Sequence, residues 1–469
     1  MNILFVFTVK DHRYRPGHPT IQHWRTQFGI SCISAVLKEA GHNTELLICC
    51  GNTLDSEIDA VLARFKPSLI CFTAVYSEYS FTASLASRLR KRNPVPLLLV
   101  GGVHATLNPD EVIKDCWDAL CIGEGEYAVR ELVARLCRGE SIVGVPGIWV
   151  KMPQGEVHKT SPSRFIEDIS ELPPPDREMW NPWAESNPKM MTILLGRGCP
   201  FECTYCCNHK LKTVAHGRYV RIRRCDDVMR EVSSVLTSYP SVRQIYFEIE
   251  TIGIHETSMF ELAAALGRLN RDRRNTNKPG ITFHANLRLI PNHDFEPLLF
   301  ALRRAGFAGV NIGIESGCEA VRKQHLKRIY SNDDVYKAVS SARRARLFVL
   351  VFVLVGIPGE SIQDFHETVE LLRNIQPEFM ASYIVFPYPG TEMEKRAREQ
   401  ELLSGHITMK QERFRATMDL PGFSKRQIER AFDWLPYDVY KGHRPLAKLL
   451  LEVLMRKITR LGWFGLKGY

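Results

Sequence analysis

Several things are scarce or absent in this 469-residue sequence. No apolar run approaches the ~20 residues that a membrane helix needs; the longest, residues 347–355, falls far short. The opening MNILFVFTVKDHRYR places its cations after its apolar run, the reverse of a secretory signal. Residues 2–9 therefore read as a buried first strand, and the chain is expected to stay in the cytoplasm. No repeat or low-complexity tract is visible, and 45% hydrophobic with 24% charged residues excludes disordered and fibrous classes. The net charge of +10 is spread along the chain, so it gives little sign of nucleic-acid binding. Cysteine is plentiful, with 13 residues. In a reducing compartment these do not build a disulfide framework, and a clustered subset reads as a metal site.

The length allows two or three domains. Over residues 1–150, apolar strand patterns (2–8, 45–49, 68–73, 96–100 and 119–122) alternate with helix patterns (30–40, 56–65, 81–91 and 127–138). Continuous apolar strands between amphipathic helices predict a doubly wound, Rossmann or flavodoxin-like parallel sheet, whose ligands sit at the carboxyl ends of the strands. Gly101-Gly102 and Gly123-Glu124-Gly125 fall at two such ends. Residues 151–189 read as a linker, polar and proline-rich from 155 to 188. Over 190–405, six more strand patterns (190–195, 244–248, 282–285, 309–314, 348–355 and 380–385) predict a partial (βα)6 barrel. Residues 406–469 read as a helical appendage.

Just after the first strand of the second series, Gly198-Cys199-Pro200-Phe201-Glu202-Cys203-Thr204-Tyr205-Cys206 sets three cysteines at C-x3-C-x2-C spacing. Three thiolates on one short loop can ligate three irons of a cubane and leave the fourth iron open. A zinc knuckle is the alternative, and it would need Cys207 or His209 as the fourth ligand.

This motif, with Tyr205 before the third cysteine and a strand ahead of it, resembles the radical S-adenosylmethionine superfamily. The resemblance implies that Cys199, Cys203 and Cys206 hold a [4Fe–4S] cluster whose open iron chelates S-adenosylmethionine. Reductive cleavage then yields the 5′-deoxyadenosyl radical, with electrons from an external donor such as flavodoxin or ferredoxin. It further implies cofactor contacts at Glu248 or Glu250 after the second strand, Asn286 and Arg288 after the third (ribose or carboxylate), Glu315 and Ser316 after the fourth, and Gly356 after the fifth. Recurrence at successive strand ends favours the reading, since barrel chemistry sits there. No residue is assigned as a catalytic acid, base or nucleophile.

Val100-Gly101-Gly102-Val103-His104-Ala105-Thr106 and Gly123-Glu124-Gly125-Glu126 resemble the cobalamin-binding domain of the cobalamin-dependent branch of that superfamily. The D-x-H-x-x-G motif that supplies a cobalt-ligating histidine elsewhere is absent, because Asp11-His12 has the wrong spacing. His104 is a candidate contact and is not taken as a cobalt ligand.

The resemblance implies methylation of an unactivated carbon in a small-molecule or lipid-like substrate. A non-methylating cyclase or oxidoreductase of the same family is an alternative. A transfer-RNA methylthiotransferase is another; it needs a second cluster, for which Cys32, Cys49 or Cys50, and Cys71 are candidates. The non-enzyme alternative is a corrinoid carrier or sensor. At the C-terminus, Leu446, Leu449, Leu450, Val453, Leu454, Ile458 and Leu461 share one helical face with Lys448, Arg456, Lys457 and Arg460 at its edges. Residues 444–469 are therefore a candidate peripheral membrane contact.

Overall fold

The computed structural model describes residues 1–10, 19–22, 26–92, 96–403 and 412–461. Asp11-His12 and residues 462–469, including Trp463 and Phe464, lie outside the described residues. The chain divides into two compact units.

The first unit contains β1 (Asn2–Val9), α1 (Phe28–Glu39), β2 (Asn43–Cys50), α2 (Asp55–Phe65), β3 (Leu69–Thr73) and α3 (Tyr76–Leu89). It continues with β4 (Leu97–Gly101), α4 (Val103–Leu107), α5 (Pro109–Val112), β5 (Ala119–Cys121), α6 (Glu126–Arg138), β6 (Ile148–Lys151) and β7 (Val157–His158). The sheet order is β2-β1-β3-β4-β5-β6-β7, parallel through β5 and antiparallel beyond it. The strands lack polar alternation because both faces are covered. Ile3, Phe5, Ile48 and Cys71 point into one core with α1 and α6. Their neighbours Leu4, Val6, Leu47 and Ile70 point into another with α2 and α3. The β6–β7 hairpin was not legible as strand.

Much of the proline-rich stretch expected as a linker is built into this unit. Trp180 is fully buried against Phe7 (ring centroids 5.6 Å) and donates to Ser31 Oγ at 2.8 Å. Asp176 accepts from Ser34 Oγ at 2.6 Å and pairs with Lys38 at 2.8 Å. Buried aromatic area and a buried carboxylate with partners outweigh the low secondary-structure content of the segment.

Next come β8 (Met190–Leu194), β9 (Gly196–Arg197), α7 (Asn208–Leu211), β10 (Arg221–Ile222) and α8 (Cys225–Ser238). The second unit carries β11 (Gln244–Glu248), α9 (Glu256–Asn275), β12 (Thr282–Leu287), α10 (Glu296–Ala305), β13 (Phe307–Glu315), α11 (Glu319–His325), α12 (Asn332–Arg344), β14 (Phe348–Val355), α13 (Ile362–Ile375) and β15 (Phe379–Ile384). Strands β11 to β15 pair in parallel in chain order. Together with β8, they supply the six strands expected for a radical S-adenosylmethionine barrel. Alternation along them separates a buried apolar set, including Phe247, Phe283 and Phe307 in mutual ring contact, from a half-buried set that includes Tyr246, His284, Asn286 and Asn311.

The chain ends with α14 (Glu392–Glu399), α15 (Lys425–Tyr440) and α16 (Leu446–Leu461). The apolar face expected on the last helix is split. Leu449 and Val453 are buried, whereas Leu446, Leu450 and Leu454 are exposed. Two of the expected edge cations are used internally. Arg456 donates to Ser382 Oγ at 2.7 Å, and Arg460 pairs with Asp433 at 2.9 Å and Glu429 at 2.6 Å. No described helix is long and apolar enough to cross a membrane.

Candidate cofactor site

The cysteine loop leaves from β9 and returns to β10, which form a short antiparallel ladder with Arg197 opposite Arg221. Directly opposed like charges destabilise a ladder unless they are neutralised. Glu124 and Glu126, from the first unit's glycine-rich turn, neutralise these. Glu124 accepts from Arg221 Nη2 at 2.8 Å, Arg221 Nη1 at 2.9 Å, Arg197 Nη1 at 3.1 Å and Ile166 N at 2.9 Å. Glu126 takes Arg197 Nη2 at 2.5 Å. Burial alone would raise the Glu124 carboxyl, but the Arg221 hydrogen bonds and the two guanidinium charges hold it below its ordinary value. At Gly198 a Cβ would sit 2.3 Å from the Tyr219 carbonyl oxygen, and φ is +85°, so only glycine fits ahead of Cys199.

Within the second unit, Cys199 and Cys203 are buried and Cys206 is half-buried. Cys206 N donates to Cys203 O at 3.1 Å, which tightens the turn. Burial pushes the Cys199 thiol up to about 11; Glu250 adds to this and Arg288 opposes it. Ligation would thus expel a firmly held proton. The loop is pinned between the cysteines. Thr204 Oγ1 donates to His325 O at 2.6 Å, and Thr204 O accepts from Met393 N at 2.9 Å. Tyr205 Oη donates to Glu315 Oε1 at 2.9 Å, the same oxygen that Arg328 Nη2 reaches at 2.9 Å. Glu315 is held at φ +65°, a conformation that this buried network stabilises.

The other strand-end candidates separate into two groups. Asn286 Oδ1 accepts from Tyr246 Oη at 2.7 Å and Asn311 Nδ2 at 3.2 Å. Glu248 lies where solvent reaches it yet protein surrounds it. Desolvation, then repulsion from Glu250, pushes its carboxyl up to about 7. Arg288 lies on the cysteine loop, with Nη1 2.6 Å from Cys203 Sγ. Ser316 is fully buried, 3.2 Å from Thr368 Oγ1, and accepts from Cys318 N. Gly356 N donates to Glu360 Oε2 at 2.8 Å. These last two hold backbone turns together.

The first unit has the flavodoxin-like strand order, with its switch point between β1 and β3. Gly101 ends β4, Gly102 follows it, and Gly123 lies just after β5. At Gly102 φ is +94° and a Cβ would meet Ala74 O at 2.8 Å. The missing side chain lets the turn after β4 pack directly on the backbone of Ala74, so glycine is required there by the protein's own packing. A Cβ on Gly125 would meet Ile33 Cδ1 at 2.7 Å. His104 is buried against Tyr79 and Tyr76 (ring centroids 4.5 and 5.3 Å), and its Nδ1 lies 3.2 Å from Asn108 Nδ2. Burial lowers its pKa to about 4, so it is a neutral packing residue.

The residues that sequence reasoning missed are Arg197, Arg221, Arg328, Phe201 and Thr251. Arg197 stands two positions before Cys199, a visible signal, but its acidic partners lie 71 to 73 residues away.

Residues 193–372 match the radical SAM superfamily model, and residues 23–133 match the B12-binding domain model. The chain is 23% identical over 429 residues to an uncharacterized methyltransferase of Pyrococcus horikoshii, covering 90% of each chain. It is 24% identical over 409 residues to the anaerobic magnesium-protoporphyrin IX monomethyl ester cyclase of Rubrivivax gelatinosus, covering 84% of this chain and 69% of that one. Its fold is similar to that of the cobalamin-dependent S-adenosylmethionine radical enzyme OxsB, with a TM-score of 0.70 at 15% identity over 98% of this chain and 72% of the other. The chain thus carries a B12-binding domain ahead of a radical SAM domain, the domain order of the cobalamin-dependent radical S-adenosylmethionine enzymes.

Proposed function

We propose that this chain holds a [4Fe–4S] cluster on Cys199, Cys203 and Cys206, S-adenosylmethionine at the adjoining strand ends and cobalamin on the first unit, and that it methylates an unactivated carbon. The observation that carries the reading is the cysteine loop, whose three thiols are fixed by Thr204 and Tyr205 in the same compact unit as Glu250 and Arg288. Once bound, the cofactors supply the chemistry: an electron that cleaves S-adenosylmethionine to a 5′-deoxyadenosyl radical, and a transferable methyl group.

The chain's residues bind, orient and tune. Glu248 and Glu250 offer acceptors for the amine of S-adenosylmethionine. Tyr205, Glu315 and Arg328 fix the loop. The turns at Gly101-Gly102 and Gly123, at the carboxyl ends of β4 and β5, are the candidate corrinoid contacts, and His104 stays in the packing. The electron would have to come from an external one-electron donor. The methyltransferase relative supports methyl transfer, and the cyclase relative keeps a non-methylating outcome as the second reading.

A second cluster, as a methylthiotransferase requires, is disfavoured. Cys49 points into the core opposite to that of Cys50 and Cys71. Cys50 is level with Val9 and Cys71 with Phe5, on strands either side of β1. That offset is about 10 Å across and about 13 Å along the sheet.

Anaerobic reconstitution tests the proposal. About four irons and one corrinoid per chain are expected, with 5′-deoxyadenosine and S-adenosylhomocysteine formed on reduction; neither product would leave a carrier or sensor. A lipid-like substrate would fit the exposed Leu446, Leu450 and Leu454 on α16. Equal binding of anionic vesicles by the full chain and by a chain ending before residue 444 would exclude membrane contact through that segment.

A further inference from the structure

Arg288 is a buried cation without a carboxylate. It is 9% exposed, and among the described residues no acidic side chain pairs with it. Its Nε has no hydrogen-bond partner. A guanidinium stays charged at any accessible pH, and burying such a charge unpaired is costly. Three contacts fix it. Its backbone N donates to Thr251 Oγ1 at 2.8 Å, its guanidinium carbon lies 3.8 Å from the Phe201 ring centroid, and Nη1 donates to Cys203 Sγ at 2.6 Å. Phe201 and Cys203 both belong to the cysteine loop, so the guanidinium is clamped between a π face and a sulfur. That sulfur belongs to one of the three cysteines that the cluster reading assigns to iron, so the cation lies directly on the ligand set.

We infer that Arg288 tunes the iron–sulfur cluster: its hydrogen bond to Cys203 Sγ and its charge stabilise the reduced state and raise the reduction potential. The inference rests on the cluster reading proposed above. The physical reason is that reduction adds one negative charge to the cluster, and a fixed cation in a water-poor site favours the more negative form. This differs from the ribose or carboxylate contact that the family resemblance implies for Arg288, which would leave the free cluster's potential untouched.

The test uses the full chain reconstituted anaerobically, with the midpoint potential read by EPR-monitored titration without S-adenosylmethionine. R288M, with iron content equal to wild type, is expected to lose about tenfold in electron affinity, a fall of about 59 mV for one electron. R288K, which keeps the charge but loses the fork and the stacking geometry, is expected to fall by less. An R288M potential equal to wild type overturns the inference. Loss of S-adenosylmethionine affinity at unchanged potential also overturns it and returns Arg288 to a ribose or carboxylate contact. If R288M takes up no cluster, R288K decides: a lowered potential supports the inference and an unchanged one overturns it. Failure of the wild-type chain to take up iron would instead sink the cluster reading itself.

Discussion

Glu124→Gln removes one charge from the neck of the cysteine loop while preserving shape. Glu124 and Arg221 are 18% and 3% exposed, so water replaces little of what is lost. The carboxylate takes four donors: two from Arg221, one from Arg197 and one from Ile166 N. An amide keeps one acceptor oxygen and turns an NH2 toward either the Arg221 Nη1–Ile166 N side or the Arg221 Nη2–Arg197 side, so donor faces donor. Arg197 retains Glu126, but Arg221 is left buried without its counter-charge. Breaking a buried pair costs about 3–5 kcal/mol. For a unit of this size that corresponds to a fall of roughly 10 °C in the melting midpoint. Circular dichroism of the apo protein at pH 7 measures it. The carboxyl lies below its ordinary value in the folded state, so its stabilisation is complete above the unfolded value and disappears as pH falls through the folded one. The gap between wild type and variant should therefore narrow in acid. A fall under about 2 °C, the yield of a solvent-exposed pair, would refute the network, as would a gap independent of pH.

Burial pushes the Glu360 carboxyl up to about 8, against the pull of its backbone hydrogen bonds from Ile357 and Gly356. The folded chain keeps this proton after the unfolded chain has released it, so stability is complete below the ordinary value of 4.5 and declines up to about pH 8. In urea titrations at several pH values, Glu360→Gln should flatten that decline, which is worth on the order of a few kcal/mol; an unchanged profile would contradict the assignment. Gly102→Ala forces a Cβ to 2.8 Å from Ala74 O at φ +94°. A loss of about 2–4 kcal/mol and reduced corrinoid content should follow, read by unfolding and by corrinoid absorbance. Cys199→Ala should take up far less than the wild type's four irons and form no 5′-deoxyadenosine; full iron content would remove Cys199 from the ligand set.

The strand–helix order of both units was written in the sequence. The continuous apolar strand 2–9 demands cover on both faces, whereas the equally apolar 348–355 is fully buried on one face and half-buried on most of the other, with Phe348 exposed, which its sequence did not reveal. The three cysteines were legible because their spacing is local. The proline-rich segment was misjudged because Trp180 and Asp176 gain their partners from α1, far away in sequence. Glu124 looked like a ligand contact and is bound to two arginines; Arg288 looked like a ribose or carboxylate contact of the cofactor and lies on Cys203. Such pairings join residues 71 to 97 positions apart. A sequence pattern records which side chains can carry charge or bind metal. Only tertiary folding decides which partner neutralises each charge, since burial makes that choice energetically strong.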